Sequence, residues 1–125
     1  MAEPNDYPYV TKLDIQYESL TPFDVPALAA ACEHTWFNQT LCRVNDSVLR
    51  YAVVQGEYHW HKHDVDDELF FTLDGHLVVD TRDKSFDLLP GQGVVIPRGV
   101  EHRTRAAERT VMLMIETAGI VPTGD

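Results

Sequence analysis

The amino-acid sequence predicts an all-β fold, a sandwich or a barrel, formed by one small domain. From Trp36 onward, short segments rich in β-branched and aromatic residues alternate with turn residues at close intervals. Only one segment, from Val25 to Cys32, has the pattern of a helix, with Pro26 near its start. The chain has 125 residues, close to the commonest size of a single domain, and can bury a core without disulfides.

Residues 1–35 are predicted to form an N-terminal arm and a short helix that pack on a β domain of residues 36–125. The first 20 residues contain Pro4 and Pro8 and show no sustained period, which is typical of an arm lying on a domain. Turn pairs such as Asn45-Asp46 and Asp74-Gly75 favour tight hairpins. Between such turns the sequence predicts strands at 37–44, 48–55, 58–63, 68–73, 76–81, 84–88, 93–97, 102–106 and 109–116.

The charge balance excludes several classes of partner. A formal net charge of -10 repels phosphate backbones and anionic lipids, so neither nucleic acid nor a membrane surface is expected as a partner. The sequence has no leader-like start and no apolar run of membrane-spanning length, and we expect a cytoplasmic protein. Cys32 and Cys42 are too few for a disulfide framework and are expected to be buried, reduced thiols.

Four side chains form a candidate metal-binding set: His61, His63, Glu68 and His102. On a strand, His61 and His63 point to the same face with Cα atoms roughly 7 Å apart, which suits two ligands of one ion. A short turn would return Glu68 beside them, and His102 arrives from a distant strand. Nitrogen and oxygen donors without a thiolate suit iron, manganese, nickel, zinc, cobalt or copper with open coordination positions. Taken singly, each histidine would more often be a surface or core polar residue.

Two spaced motifs contain these four residues. The first reads Gly56-x4-His61-x-His63-x4-Glu68-x6-Gly75. The second reads Gly91-x5-Pro97-x-Gly99-x2-His102. Together they resemble the two motifs of the cupin family, and residues 36–125 are similar to small mannose-6-phosphate-isomerase-like cupins. The first motif has a gap of four where five is usual, and Ala106 stands where the second often ends in Asn.

The resemblance implies a double-stranded β-helix, or jelly-roll, barrel in which the four residues bind one divalent transition metal. Parity along the strands places Phe70 and Thr72 with Glu68, and Thr104 with His102, so these three are predicted to line a substrate pocket. Tyr51 is predicted to line it from the neighbouring strand. For the last strand, parity leaves open whether Met112 and Met114, or Leu113 and Ile115, face inward.

His59 shares the parity of His61 and His63, so a regular strand would point its ring into the same cavity. The hypothesis is a general acid or base that is not a ligand; a bulge after Gly56 would instead turn the ring outward. The same parity would turn Tyr58 and Trp60 outward. Exposed aromatic residues need cover, so either the N-terminal arm or a second copy in a homodimer is predicted to bury them.

Two functions are compatible with this interpretation. The first is a metal-dependent enzyme acting on a small molecule, because a site with free coordination positions can polarise a carbonyl or activate water. Oxygenases, isomerases, cyclases and lyases all occur in the family that the sequence resembles. The second is a non-catalytic module that binds a small ligand or the metal itself. The motifs do not distinguish these possibilities, because fold and site do not define a reaction.

Overall fold

The computed structural model describes residues 9–124 of the chain. This part contains eight strands and one short helix. Pro4 and Pro8 of the predicted arm lie outside the described residues. The elements in chain order are β1 (Val10–Lys12), α1 (Val25–Ala31), β2 (Phe37–Val44), β3 (Ser47–Glu57), β4 (Glu68–Asp74), β5 (Leu77–Thr81), β6 (Ser85–Leu88), β7 (Gly93–Ile96) and β8 (His102–Thr117). The predicted all-β class and the jelly-roll barrel are confirmed.

Strand β8 is the centre of the sheet. The strand order is β1-β2-β3-β8-β4-β7, and β5 joins β8 to β6. The first part of β8 pairs with β5, from His102 opposite Thr81 to Arg105 opposite Val78. Its second part pairs with β3 on one side and with β4 on the other. Because β8 pairs with three different strands along its length, its inward-facing side chains line the barrel from one end to the other.

Three of the predicted strands, 58–63, 102–106 and 109–116, differ from the structure. The segments 102–106 and 109–116 form one strand, β8, whose pairing with β3 shifts register between Val54 and Gly56. Residues 58–63 are not a regular strand; only His61 forms an isolated bridge, to His102. The backbone N–H of Tyr58 donates to the carbonyl of Thr104. The three steps from Tyr58 to His61 therefore lie opposite only two steps of β8, from Thr104 to His102. An extra residue of this kind is a bulge, and it breaks the parity on which the predictions for residues 58–60 depended.

Two apolar clusters lie on opposite faces of the sheet. The interior cluster holds Met112 and Met114, which resolves the open choice for the last strand in their favour. The second cluster lies between the sheet and the N-terminal residues and includes Ala29 of α1. Alternation along β3 therefore sends Ala52 and Val54 into the barrel and Tyr51 and Val53 to the other face.

The N-terminal region packs on the barrel through β1 and α1. β1 pairs in parallel with β2, from Val10 opposite Phe37. The Asp24 side chain caps the helix start by accepting from the N–H of Ala27 at 3.0 Å. At the helix end, Arg109 of β8 donates to the carbonyl oxygens of Ala29 and Cys32 at 2.7 and 3.1 Å. No helix within residues 9–124 is long and apolar enough to cross a membrane. Both cysteines are free, as expected, but half-buried instead of buried.

Asp80 of β5 secures the first part of β8. Its carboxylate accepts from Arg105 Nε at 2.7 Å, from Arg103 Nε at 3.0 Å and from the hydroxyl of Ser85 at 2.5 Å. The hydrogen bond from Arg105 is the main reason that the pKa of the Asp80 carboxyl lies well below its usual range. β5, β6 and β8 therefore meet at one ionised side chain, directly beside the start of the strand that carries His102.

The turn at Gly75 requires glycine for two separate reasons. Its φ of +91° is unfavourable for other residues, and a Cβ there would lie 2.9 Å from the carbonyl oxygen of Arg109. Gly91 has a similar φ of +86° but nothing within 4 Å of a Cβ. We expect Gly91→Ala to lower the free energy of unfolding by about 1 kcal/mol and Gly75→Ala by about 2–4 kcal/mol, because only the latter adds overpacking to backbone strain. Chemical denaturation measures both; equal losses would contradict the steric argument.

Candidate metal centre

The backbone of the loop after β3 is held against β8 at two points. His61 and His102 exchange both backbone hydrogen bonds, N–H of His61 to the carbonyl of His102 at 2.9 Å and the reverse at 2.8 Å. The bridge places the two imidazole centroids 4.4 Å apart. His61 is therefore positioned by strand pairing although its neighbours are not in a strand.

A turn before β8 connects the two motifs. Gly99 has φ +79° and follows Pro97 and Arg98, an arrangement that requires glycine at its third position. The N–H of Gly99 donates to the carbonyl of His63 at 2.8 Å, and the N–H of Arg98 donates to the carboxylate of Asp67 at 2.9 Å. The turn thus holds the loop that carries His63 while it leads the chain to His102.

The four predicted ligand residues come together in the structure. One nitrogen or carboxylate oxygen from each of His61, His63, Glu68 and His102 lies within 4.8 Å of the other three. Glu68 Oε1 is 3.4 Å from His63 Nε2 and 3.3 Å from His102 Nε2. None of these three buried atoms has a hydrogen-bond partner among the described residues. Converging buried donor atoms without partners are the arrangement that a bound cation would satisfy.

Backbone carbonyls orient two of the imidazoles. His61 Nδ1 lies 3.0 Å from the carbonyl oxygen of His59, and His102 Nδ1 lies 2.9 Å from that of Val100. In a neutral imidazole the nitrogen that faces a carbonyl carries the proton, which leaves Nε2 with a free lone pair. Both rings therefore present an electron pair toward Glu68 and His63.

Burial favours the metal-binding protonation states. It lowers the pKa of His61 to about 3, with a further contribution from the neighbouring His102, so this imidazole is neutral near pH 7. Burial alone would raise the pKa of Glu68, but the closely approaching side chains of Glu116, His102 and His63 outweigh it and hold the pKa below its usual range. The cluster thus combines a neutral imidazole with an ionised carboxylate, as metal ligands require.

A small cavity of about 20 Å³ adjoins the cluster, enough space for a water-sized guest. His61 and Glu68 face it from the metal side. Its other walls are Trp36, Asn38, Tyr58, Phe70, Thr104, Met112, Met114, Glu116 and Pro122.

The predicted pocket residues divide between the cavity and other places. Phe70 and Thr104 line it, as strand parity indicates. Thr72 is fully buried on the same strand as Phe70 but lies outside the cavity lining. Tyr51 packs in the second apolar cluster with Phe37, so its prediction as a pocket residue is wrong. The error arises from the inward face assigned to β3, which belongs to Ala52 instead.

The bulge also changes the surroundings of residues 58–60. Tyr58 is 8% exposed and lines the cavity, stacked on Tyr9 of the N-terminal region at 4.1 Å, so the prediction that it faces outward is wrong. Trp60 is covered within the chain by the guanidinium groups of Arg82 and Arg103, 3.8 and 5.1 Å from its ring centroid.

Both ring nitrogens of His59 have partners: Nδ1 lies 3.3 Å from the hydroxyl of Tyr9, and Nε2 lies 2.7 Å from the carbonyl of Thr123. The ring stands beside the cavity wall and outside its lining. The acid–base role of His59 stays a prediction.

Residues 118–124 close one side of the site. The hydroxyl of Tyr58 donates to the carbonyl of Pro122 at 3.3 Å, and the carbonyl of Thr123 contacts the ring of His59. Gly124 lies so close to His61 that a Cβ would be 2.6 Å from that of the histidine. The signal for this segment in the sequence was only its likeness to a family tail, which says nothing about contacts.

Three interior polar residues were not recognised from the sequence: Asn38, Arg50 and Glu116. Arg50 Nε lies 3.0 Å from Glu116 Oε1, and both side chains are almost fully buried. Burial and then the neighbouring Glu68 carboxylate raise the pKa of Glu116 well above its usual value, while Arg50 opposes them. A signal existed, because Arg50 shares the parity of Ala52 and Val54, and Glu116 that of Met112 and Met114.

Comparisons with known proteins agree with this architecture. The family model described as a cupin domain matches residues 48–117. An uncharacterised Bacillus subtilis (strain 168) protein, YdbB, is 42% identical over 91 residues, which are 72% of this chain and 80% of the relative. A cupin-2 domain protein from Shewanella frigidimarina superposes with a TM-score of 0.72 at 30% identity, covering 76% of this chain and 93% of the other.

A protein from Neisseria meningitidis superposes with a TM-score of 0.69 at 24% identity and covers 78% of this chain and 99% of its own, which is a likeness of fold. The family match extends over more than half of the chain and includes Glu68 and His102. With the family model, the 42% identical relative and the barrel in agreement, this chain belongs to the cupin family.

Proposed function

We propose that His61, His63, Glu68 and His102 bind one divalent transition metal ion, and that the protein uses it to act on a small molecule. The observation that supports this most is the convergence of one donor atom from each residue within 4.8 Å, three of them buried and without a hydrogen-bond partner within residues 9–124. Three imidazoles and one carboxylate suit iron, manganese, nickel, zinc, cobalt or copper. The donor set does not select one metal among these.

The chain supplies the conditions in which such an ion is effective. A bound divalent ion would act as a Lewis acid on an oxygen of the substrate. Phe70, Met112 and Met114 supply apolar side chains to the lining of the adjoining cavity. Electrostatic interactions are stronger in such an environment than in water. The residues around the cluster therefore favour chemistry on a small, enclosed substrate.

A second candidate function is a non-catalytic module that holds the metal or a small ligand. The observation in its favour is the size of the cavity, about 20 Å³, which leaves little space for a substrate beside an ion. Oxygenase, isomerase, cyclase and lyase reactions are all compatible with the first candidate. We place the enzyme first because the cavity adjoins the cluster and is also lined by the polar side chains of Asn38 and Glu116.

We expect one metal ion per chain in the wild-type protein and none in His61→Ala/His102→Ala, because the double variant removes two of four ligands. Elemental analysis after dialysis measures the stoichiometry. His76→Ala is the matched control, since His76 pairs with Asp87 at the surface, away from the cluster, and its loss should leave the metal content unchanged.

The same proteins give a second readout in thermal unfolding. Metal at about 100 times its dissociation constant stabilises the folded state by about 2.7 kcal/mol, so a chelator should lower the midpoint of the wild type by several degrees. The double variant should show no such shift. Full metal content in the double variant would overturn the assignment.

We expect the metal-loaded protein to turn over a small carbonyl compound, with activity lost in His61→Ala/His102→Ala. The screen follows oxygen uptake and the isomerisation or hydrolysis of small carbonyl compounds, with His76→Ala as the active control. The physical reason is that the metal can polarise a carbonyl oxygen placed in the adjoining cavity. Tight binding of such a compound without any turnover would favour the non-catalytic module.

We also expect a homodimer. The outer face of the sheet exposes Val95 and Ile115, 54% and 44% accessible, which lie on either side of Leu69. If a second copy covers them, Ile115→Arg should weaken dimerisation at least about tenfold, because it places a charge in an apolar interface. Leu20→Arg, in the exposed segment before α1, is the control, since Leu20 is fully exposed and does not line the surface around Val95 and Ile115. Light scattering that reports a monomeric wild-type protein at micromolar concentration would reject the dimer.

A further inference from the structure

One wall of the cavity is held differently from the others. Most of the lining residues lie in β2, β4 and β8, and the backbones of Tyr58 and His61 are hydrogen-bonded to β8. Pro122 belongs instead to a turn of residues 121–124, in which the N–H of Gly124 donates to the carbonyl of Val121 at 2.9 Å. Within residues 9–124, the backbone of this turn forms no hydrogen bond to the backbone of the barrel.

The chain is fixed up to the residue before this turn. The N–H of Ala118 donates to the carbonyl of Asp46 at 2.9 Å, and the N–H of Ile120 donates to the carbonyl of Thr117 at 3.1 Å. Ile120 is only 5% exposed, whereas Val121, the next residue, is 47% exposed. A movement of the turn can therefore begin at Val121 and leave β8 in place.

Two side chains of the loop after β3 hold the turn against the site. The hydroxyl of Tyr58 donates to the carbonyl of Pro122 at 3.3 Å, which is long for a hydrogen bond between two oxygens. Nε2 of His59 lies 2.7 Å from the carbonyl oxygen of Thr123, and a neutral imidazole carries its proton on the nitrogen that faces a carbonyl. The shorter hydrogen bond, from His59, is therefore the main contact that holds the turn.

Gly124 brings the turn against one of the proposed metal ligands. A Cβ on Gly124 would lie 2.6 Å from Cβ of His61 and 3.2 Å from its Cγ and Cδ2. The turn thus covers one side of this histidine, and a side chain at position 124 would clash with it. Two backbone hydrogen bonds to His102 fix His61, so the turn and not the histidine would have to move.

The size of the cavity requires that some wall moves before an organic molecule can enter. Its volume of about 20 Å³ suits a water-sized guest, whereas sites for small organic molecules typically have about 300–1,000 Å³. The walls formed by strands are tied into the sheet by backbone hydrogen bonds. Segments held by few hydrogen bonds open at a much lower cost in free energy, and the lids of active sites are drawn from them. The 121–124 turn is the wall that fits this description.

We propose that residues 121–124 form a strap that closes the metal centre and moves away to admit a molecule larger than water, and that His59 holds the strap closed. This inference rests on the proposed metal site and gives its substrate a route of entry. His59 is then a positioning residue that acts through Thr123. Its Nδ1 lies 3.3 Å from the hydroxyl of Tyr9, which orients the ring for this contact.

The test measures how fast cobalt(II) enters and leaves the site. Rapid mixing of the metal-free protein with cobalt(II) gives the rate of loading, and mixing of the loaded protein with excess EDTA gives the rate of loss. A weaker strap raises both rates by the same factor and leaves the dissociation constant unchanged, because it shifts the balance of open and closed states equally with and without the ion. A disturbed ligand set would instead weaken cobalt binding.

We expect His59→Leu to raise both rates about fivefold, the effect of one lost hydrogen bond. His59→Gln should restore the wild-type rates, because its amide N–H can donate to the same carbonyl. Gly124→Ala should raise both rates at least as much as His59→Leu, since its Cβ forces the strap away from His61. Gly91→Ala is the matched control: its φ of +86° resembles the +97° of Gly124, but a Cβ there meets nothing within 4 Å.

Quenching of Trp36 fluorescence by acrylamide tests the strap without any metal. Trp36 lines the cavity and is 5% exposed. The metal-free protein with Trp60→Phe has Trp36 as its only tryptophan, and acrylamide is an uncharged molecule larger than water. We expect a larger quenching constant when Gly124→Ala is added to this protein, and an unchanged constant when Gly91→Ala is added.

The two measurements separate the strap from the proposed metal site. Unchanged cobalt rates in both His59→Leu and Gly124→Ala would overturn the strap. Faster loss without faster loading would overturn it as well, because the two residues would then shape the ligand set. If the wild type binds no cobalt, the proposed metal site is wrong and the quenching of Trp36 decides: an equal constant with and without Gly124→Ala overturns the strap too.

Discussion

The reciprocal backbone hydrogen bonds between His61 and His102 are the contact on which the site depends. His61 belongs to an irregular loop and His102 begins the longest strand, so without this bridge their separation in sequence would leave their imidazoles unrelated. The bridge joins the loop to β8, which itself pairs with β3, β4 and β5. The position of His61 is therefore fixed relative to these three strands. The carbonyls of His59 and Val100, each two residues before one of these histidines, orient the rings. Backbone geometry thus determines both where the two imidazoles lie and which nitrogen each presents.

The barrel interior is an unusual mixture of apolar and ionisable groups. Met112 and Met114 alternate with the same periodicity that brings Glu116 inward, and Arg50 enters between the apolar side chains of β3 in the same way. Such groups are tolerated in a low-dielectric interior when they are paired, as Arg50 and Glu116 are, or when they bind a ligand. The interior therefore combines apolar residues such as Leu77 and Val79 with the buried polar side chains of Glu68 and Glu116.

The sequence was most informative where local pattern and spacing agree. The two motifs predicted the fold and the four residues that converge in the structure, and parity correctly placed Phe70 and Thr104 beside the cavity. Parity failed at Tyr51 and Tyr58 for different physical reasons. Alternation defines two faces but does not say which one is covered by a helix, and the extra residue between Tyr58 and His61 puts these two side chains, which differ in parity, on the same interior face. The contact of residues 118–124 with the site is not local, and no periodicity reports it.

The buried pair of Arg50 and Glu116 constrains how this sequence can change over time. Removing Glu116 alone leaves the Arg50 guanidinium without its partner inside the barrel, at a cost of about 3–5 kcal/mol, whereas replacing both by apolar residues of similar volume can be nearly neutral. A protein with only one of the two substitutions would lose a large part of its free energy of unfolding, which for a typical domain is only about 5–15 kcal/mol. The two positions are therefore strongly epistatic: substitutions at one should be accepted only in descendants that already carry a compensating residue at the other, so the pair should be inherited as a unit.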